Sequence, residues 1–161
     1  MEPITGKAAS SIALACKPPS PPHTYFGVAQ SLMPAMKTLA DSQQCFALTF
    51  LAAHVLECLL KAYLSRNGSD KMVRQPPLRH NLNRLWAETS VQGLGISTSP
   101  PGWADCLSQL HNAPYYLRYS TAVNGLVLPA AEPMVSELEH ILELVRRSIM
   151  QLAQAVGPAR R

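Results

Sequence analysis

The chain is poor in aromatic residues (6%) and in charge (15% Asp, Glu, Lys and Arg), and no stretch alternates apolar with polar residues for long. Runs of Val and Ile are scarce while Leu and Ala dominate, a balance that argues against sheet and for helix. The four cysteines, Cys16, Cys45, Cys58 and Cys106, show no C-x-x-C spacing, so neither a disulfide framework nor a zinc ribbon is expected and the thiols suit a reducing cytoplasm. His54 and Cys58 stand four apart on one helix face, but no second ligand pair follows, and neither a metal nor a cofactor is expected. No targeting signal is expected at the start of the given sequence, because Glu2 interrupts the charged region and the apolar run from Ser11 to Cys16 is short.

What is there suffices for one compact domain. With 161 residues and 47% apolar content the chain buries a real core. The net charge of +4 is compatible with an anionic partner without requiring one. Its distribution says more: Arg66, Lys71, Arg74, Arg79 and Arg84 fall in one short stretch opposed only by Asp70. Residues 1–22, ending in Lys17-Pro-Pro-Ser-Pro-Pro22, read as a disordered proline-rich segment, residues 23–157 as a single helical domain, and residues 158–161 as a basic tail.

The chain is organised around Cys45 to Leu64. Leu48, Leu51, Ala52, Val55, Leu59 and Leu60 recur at steps of three and four, which gives a helix with one broad apolar face, while His54, Glu57 and Lys61 gather on another. This helix is long enough to span a bilayer, but those three polar residues make insertion costly, so a soluble core helix is expected and no membrane association. Asn67-Gly68 supplies a stop. Before it, a helix from Thr24 is expected to kink or split at Pro34. After it come a basic loop to Arg79, a helix opening at Leu82 with Asn81 as its N-cap, and a short helix from Trp103 that ends before Pro114. Asn124-Gly125 marks a turn, weakly suggestive of a hairpin. A last helix runs from about Glu132 to Val156, with Val135, Leu138, Leu142, Val145, Ile149, Leu152 and Val156 as a seam suited to a partner helix within the chain or across a dimer. Leu51, Val55, Leu59, Leu85, Trp86, Leu138, Leu142 and Val145 are expected to share one core.

The run Leu56-Glu57-Cys58-Leu59-Leu60-Lys61-Ala62-Tyr63-Leu64, a basic loop, and then His80-Asn81-Leu82 with Leu85 resembles the HEPN superfamily, whose members carry an E-x-x-x-K-A-x-L helix followed by H-[DN]-L-x-x-L at the start of the next. Arg118-Tyr119 is similar to an arginine-tyrosine pair that precedes the last helix in many of them, and the likeness covers roughly residues 24 to 156. The resemblance implies an all-α, antiparallel up-and-down bundle of four to five helices, usually a homodimer. It also implies either a metal-independent ribonuclease or a nucleotide-binding partner of a nucleotidyltransferase in a toxin-antitoxin or defence-type system. The ribonucleases of the family use an R-x4-6-H motif. Here Arg118 is followed by Tyr-Ser-Thr-Ala-Val-Asn124 with no histidine, and Arg74 and His80, which satisfy the bare spacing, lie before the third helix. No catalytic residue is assigned on this basis.

The residues themselves leave two readings open, a nucleotide- or RNA-binding module and a non-catalytic helical interaction protein. Lys61, Arg79, His80, Arg118 and Tyr119 are the binding candidates: three cations to attract phosphate, one histidine as the set's proton-transfer group, and a tyrosine face for a base. Against this, Glu57 and Lys61 have the favourable order of an ordinary i,i+4 helix salt bridge. His80 at a helix start can simply bond free backbone groups, and Arg118 among tyrosines can simply pin a loop. His23, His111 and His140 have no partner that the sequence identifies.

Overall fold

The computed structural model describes residues 20–119 and 124–155. Most of the expected proline-rich lead, the basic tail and Val156 lie outside the described residues, as does residue 120–123 of the expected hairpin region. Among the described residues there are five α-helices and no strand: α1 Pro21–Asp41, α2 Cys45–Leu64, α3 Leu82–Val91, α4 Gly102–His111 and α5 Ala131–Ala155, with a 3-10 turn at Met72–Arg74.

α1 starts ahead of Thr24, at Pro21. The two prolines there occupy the first turn, where a missing N–H costs nothing, and Pro22 is buried rather than part of a loose lead. Pro34 does not split the helix. It lies on the solvent side of α1, where water can take up the carbonyl that loses its partner, and the helix runs on as one element to Asp41. Asn81 caps α3 as expected, its side-chain oxygen accepting from the Arg84 backbone N–H at 3.0 Å.

α2 is the centre of the bundle and contacts every other helix. For that reason every side chain from Val55 to Leu64 is buried, on all faces, instead of the single apolar face that the periodicity suggested. α2 alone among the described helices has the length and apolar content of a membrane span, and 67% of that window is buried inside the bundle, as befits a core helix. α1 and α5 pack together on α2, tied at the rim by Lys37 and Glu139 at 2.5 Å; α3 and α4 pack on α2 elsewhere. The edge-to-face pair Trp86 and Trp103, 6.2 Å between ring centres, joins α3 to α4, and Trp103 Nε1 donates to Glu137 of α5 at 2.8 Å.

The expected core is nearly complete. Val55, Leu59, Leu85, Trp86, Leu138, Leu142 and Val145 are buried, while Leu51 is half-buried and packs against the edge of that core. Val135, Leu138, Leu142, Val145 and Ile149 of the α5 seam are buried within the chain, so the seam does not by itself call for a second copy; Leu152, beyond them, is exposed.

Candidate functional site

The burial of α2 carries a polar group into the interior. Glu57 is 6% exposed, and an isolated carboxylate there would be costly. Three nitrogens compensate it. Lys61 Nζ, one turn on and itself 5% exposed, donates to Oε1 at 2.6 Å. His80 Nδ1, from the loop before α3, is 3.0 Å from the same oxygen, and His111 Nε2, from the last residue of α4, is 2.8 Å from Oε2. Burial pushes the Glu57 carboxyl up, but the hydrogen bonds from His111 and Lys61 and their charges more than offset this and hold it down at about 2. The group is therefore a fixed anion with donors converging from three elements.

Two of those donors also border a cleft, Lys61 at its floor with its side chain 7% exposed and His80 on its wall at 42%. This cleft, of about 840 Å³, is lined by both together with Asp70, Lys71, Arg74, Gln75 and Arg79. The loop folds this way because the buried Val73 and Leu78 anchor it to the core, which leaves the residues around them exposed. Asp70 is the only carboxylate on the cleft wall; it accepts from the Tyr25 hydroxyl at 3.3 Å and lies 3.9 Å from Arg74. The side chains of Lys71 and Arg79 have no hydrogen bond or ion pair among the described residues, so their donors are available to a ligand. Three exposed cations, Lys71, Arg74 and Arg79, beside one carboxylate suit a phosphate or another oxyanion, since Lys61 is already paired to Glu57. No family model, no curated protein and no solved structure matches this chain.

Three of the five sequence candidates, Lys61, Arg79 and His80, thus meet in one cleft. Arg118 and Tyr119 do not line it. Both are exposed in a turn held by backbone bonds from Arg118 and Tyr119 to the Tyr115 carbonyl, at 2.8 and 2.9 Å. Arg118 stands instead towards His54, whose imidazole burial pushes down while Glu57 opposes and the charges of His111, Lys61 and Arg118 add to the fall. The basic stretch also divides. Arg66 donates to the Tyr63 carbonyl and to Gln92 and covers the Tyr63 ring at 3.9 Å, while Arg84 lines a separate groove with Pro77, Leu78 and Ala87.

Sequence reasoning missed His111 altogether. Its partner is 54 positions away, and the one signal available was that a buried glutamate needs more donors than a single lysine supplies. The Glu57 and Lys61 pair is present at the expected spacing, but as a buried pair rather than a solvated one. His54 and Cys58 meet at 3.8 Å; burial and the Glu57 charge push the Cys58 thiol up to about 12, which leaves it protonated. His23 bonds Ser20 at the surface.

Proposed function

We propose that the chain is a HEPN-like nucleotide- or RNA-binding module with an up-and-down helical arrangement, and that its ligand phosphate sits in the cleft of Lys61, Lys71, Arg74, Arg79 and His80. The observation that carries this reading is the meeting of Lys71, Arg74 and Arg79 on one concave wall with Asp70 as its carboxylate, above the Lys61 ammonium that Glu57 pairs, and with Lys71 and Arg79 unpartnered among the described residues. Arg118 and Tyr119 enter as outer contacts for RNA longer than one nucleotide, where Tyr119, 66% exposed, offers a face for a base. A homodimer and a nucleotidyltransferase partner belong to the same reading.

Calorimetry with a mononucleotide and with a short single-stranded RNA tests it. Arg79→Ala weakens both by about 1 to 3 kcal/mol with the melting temperature unchanged. Arg118→Ala weakens the RNA alone. Arg84→Ala, which removes the same charge from a different groove, leaves both in place; an equal loss in Arg84→Ala and Arg79→Ala would show that net charge, not the cleft, is being measured.

The second reading, a helical interaction protein, is favoured by Phe46 and Phe50, which are 46% and 44% exposed one turn apart on α2. Sedimentation equilibrium decides whether that face joins two copies: Phe50→Asp then converts a dimer to a monomer without touching the cleft.

A further inference from the structure

Glu57 gathers two imidazoles besides the ammonium that balances its charge. The ammonium is that of Lys61 at 2.6 Å, and the imidazoles are those of His80 and His111. One of them, His111, is 7% exposed and gives up hydration to stand there. One ligand atom from each of Glu57, His80 and His111, a carboxylate oxygen and two ring nitrogens, lies within 4.8 Å of the other two. Ligands about 2.0 to 2.1 Å from a tetrahedral ion stand roughly 3.3 Å apart. His80 stands 3.0 Å from Oε1 and His111 2.8 Å from Oε2, contacts to the two oxygens of one carboxylate that are each a few tenths of an ångström shorter than that, and side-chain torsions of the three residues supply the spread an ion between them needs. Two histidines and one carboxylate form the donor set of an open divalent-metal site, and the His80 side chain, 42% exposed on the cleft wall, gives an ion its way in.

We propose that Glu57, His80 and His111 bind one divalent first-row transition-metal ion of the zinc class, with the remaining coordination position open to the basic cleft. Coordination requires each imidazole to present a lone pair where it now faces Glu57, so the ring proton of the neutral form resides on Nε2 of His80 and on Nδ1 of His111. Lys61 is the competitor. Its ammonium occupies the Glu57 oxygen that the ion needs, and because Lys61 also lines the cleft, the side chain turns outward when the ion enters. The lysine therefore keeps the empty site charge-balanced and limits its affinity. This site stands whether or not the cleft takes a phosphate.

The test uses the full chain, stripped with a chelator and kept in phosphate-free buffer. Zinc titration by calorimetry gives one ion per chain, and Co2+ gives the visible absorption of a low-coordinate nitrogen and oxygen site. His80→Ala, at the half-exposed ligand and so the variant least prone to misfolding, weakens zinc at least about tenfold. Lys61→Met does the opposite and tightens it, and added zinc raises the melting temperature of that variant more than that of the wild type. Circular dichroism confirms that each variant is folded before it is titrated. The proposal is overturned by the absence of stoichiometric binding, by binding that His80→Ala leaves undiminished, or by a folded Lys61→Met variant whose zinc affinity is unchanged or weaker. None of these results bears on nucleotide binding, which the Arg79→Ala comparison tests separately.

Discussion

Replacing Glu57 by Gln keeps its shape and removes its charge, leaving the Lys61 ammonium, 5% exposed, without a counter-ion. Removing one partner of a buried pair costs about 3 to 5 kcal/mol, far above the half kcal/mol or so of an ordinary surface substitution. The lowered pKa of Glu57, which the same contacts produce, corresponds to a similar figure. Its carboxyl is lowered from 4.5 to about 2, and at about 1.4 kcal/mol per unit this corresponds to roughly 3 kcal/mol of stability. The folded state holds this group's pKa below its unfolded value, so the contribution is fully present above pH 4.5 and is lost as the pH falls from there through about 2. Urea melts of wild type and Glu57→Gln at several pH values read both numbers. The gap between them is widest near pH 7 and narrows below pH 4.5. Adding Lys61→Met to Glu57→Gln restores part of the loss, since the ammonium that was stranded is gone. A Glu57→Gln variant within about 0.5 kcal/mol of wild type, or one with an undiminished acid-induced loss, would refute the buried pair as the source of stability.

Leu59, 0% exposed at the centre of α2, costs about 2 to 5 kcal/mol on change to Ala in a denaturant melt. Asn81→Ala removes the α3 cap and costs about 0.5 to 2 kcal/mol in the same assay. Cys58, buried and with its thiol pushed up to about 12, resists alkylation until the chain unfolds, whereas exposed Cys45 reacts in the native protein; mass spectrometry of the labelled peptides separates the two.

The fold was legible where local periodicity and end signals agree. The Asn81 cap, the stop after α2 and the buried face of α5 all follow from spacing alone, because they depend on residues within a turn or two. What spacing could not show is how many neighbours an element has. α2 is surrounded, so Glu57 and Lys61 became interior groups, while the same i,i+4 spacing on α5 gives Glu143 and Arg147 an exposed pair. The candidate site was half legible for the same reason. Lys61 and His80 lie on segments adjacent in sequence, but His111 reaches Glu57 only through the packing of α4 on α2, and Arg66 leaves the basic cluster because Tyr63 and Gln92 claim it. Pro21 and Pro34 were read by their usual effect on helix interiors, whereas one begins α1 and the other points to water.

The central position of α2 also sets where the protein can breathe. A helix in contact with all four others has no route to open by itself, so the backbone amides around Glu57 should exchange with deuterium only when the whole domain unfolds. The loop bearing Lys71, Arg74 and Arg79 is held by two buried side chains, Val73 and Leu78, by its own turns and by the Tyr25 and Glu57 contacts to Asp70 and His80, so its amides should exchange ahead of those of α2. A deuterium-exchange map should therefore divide the cleft, its rim exchanging by local opening and its floor only with the domain.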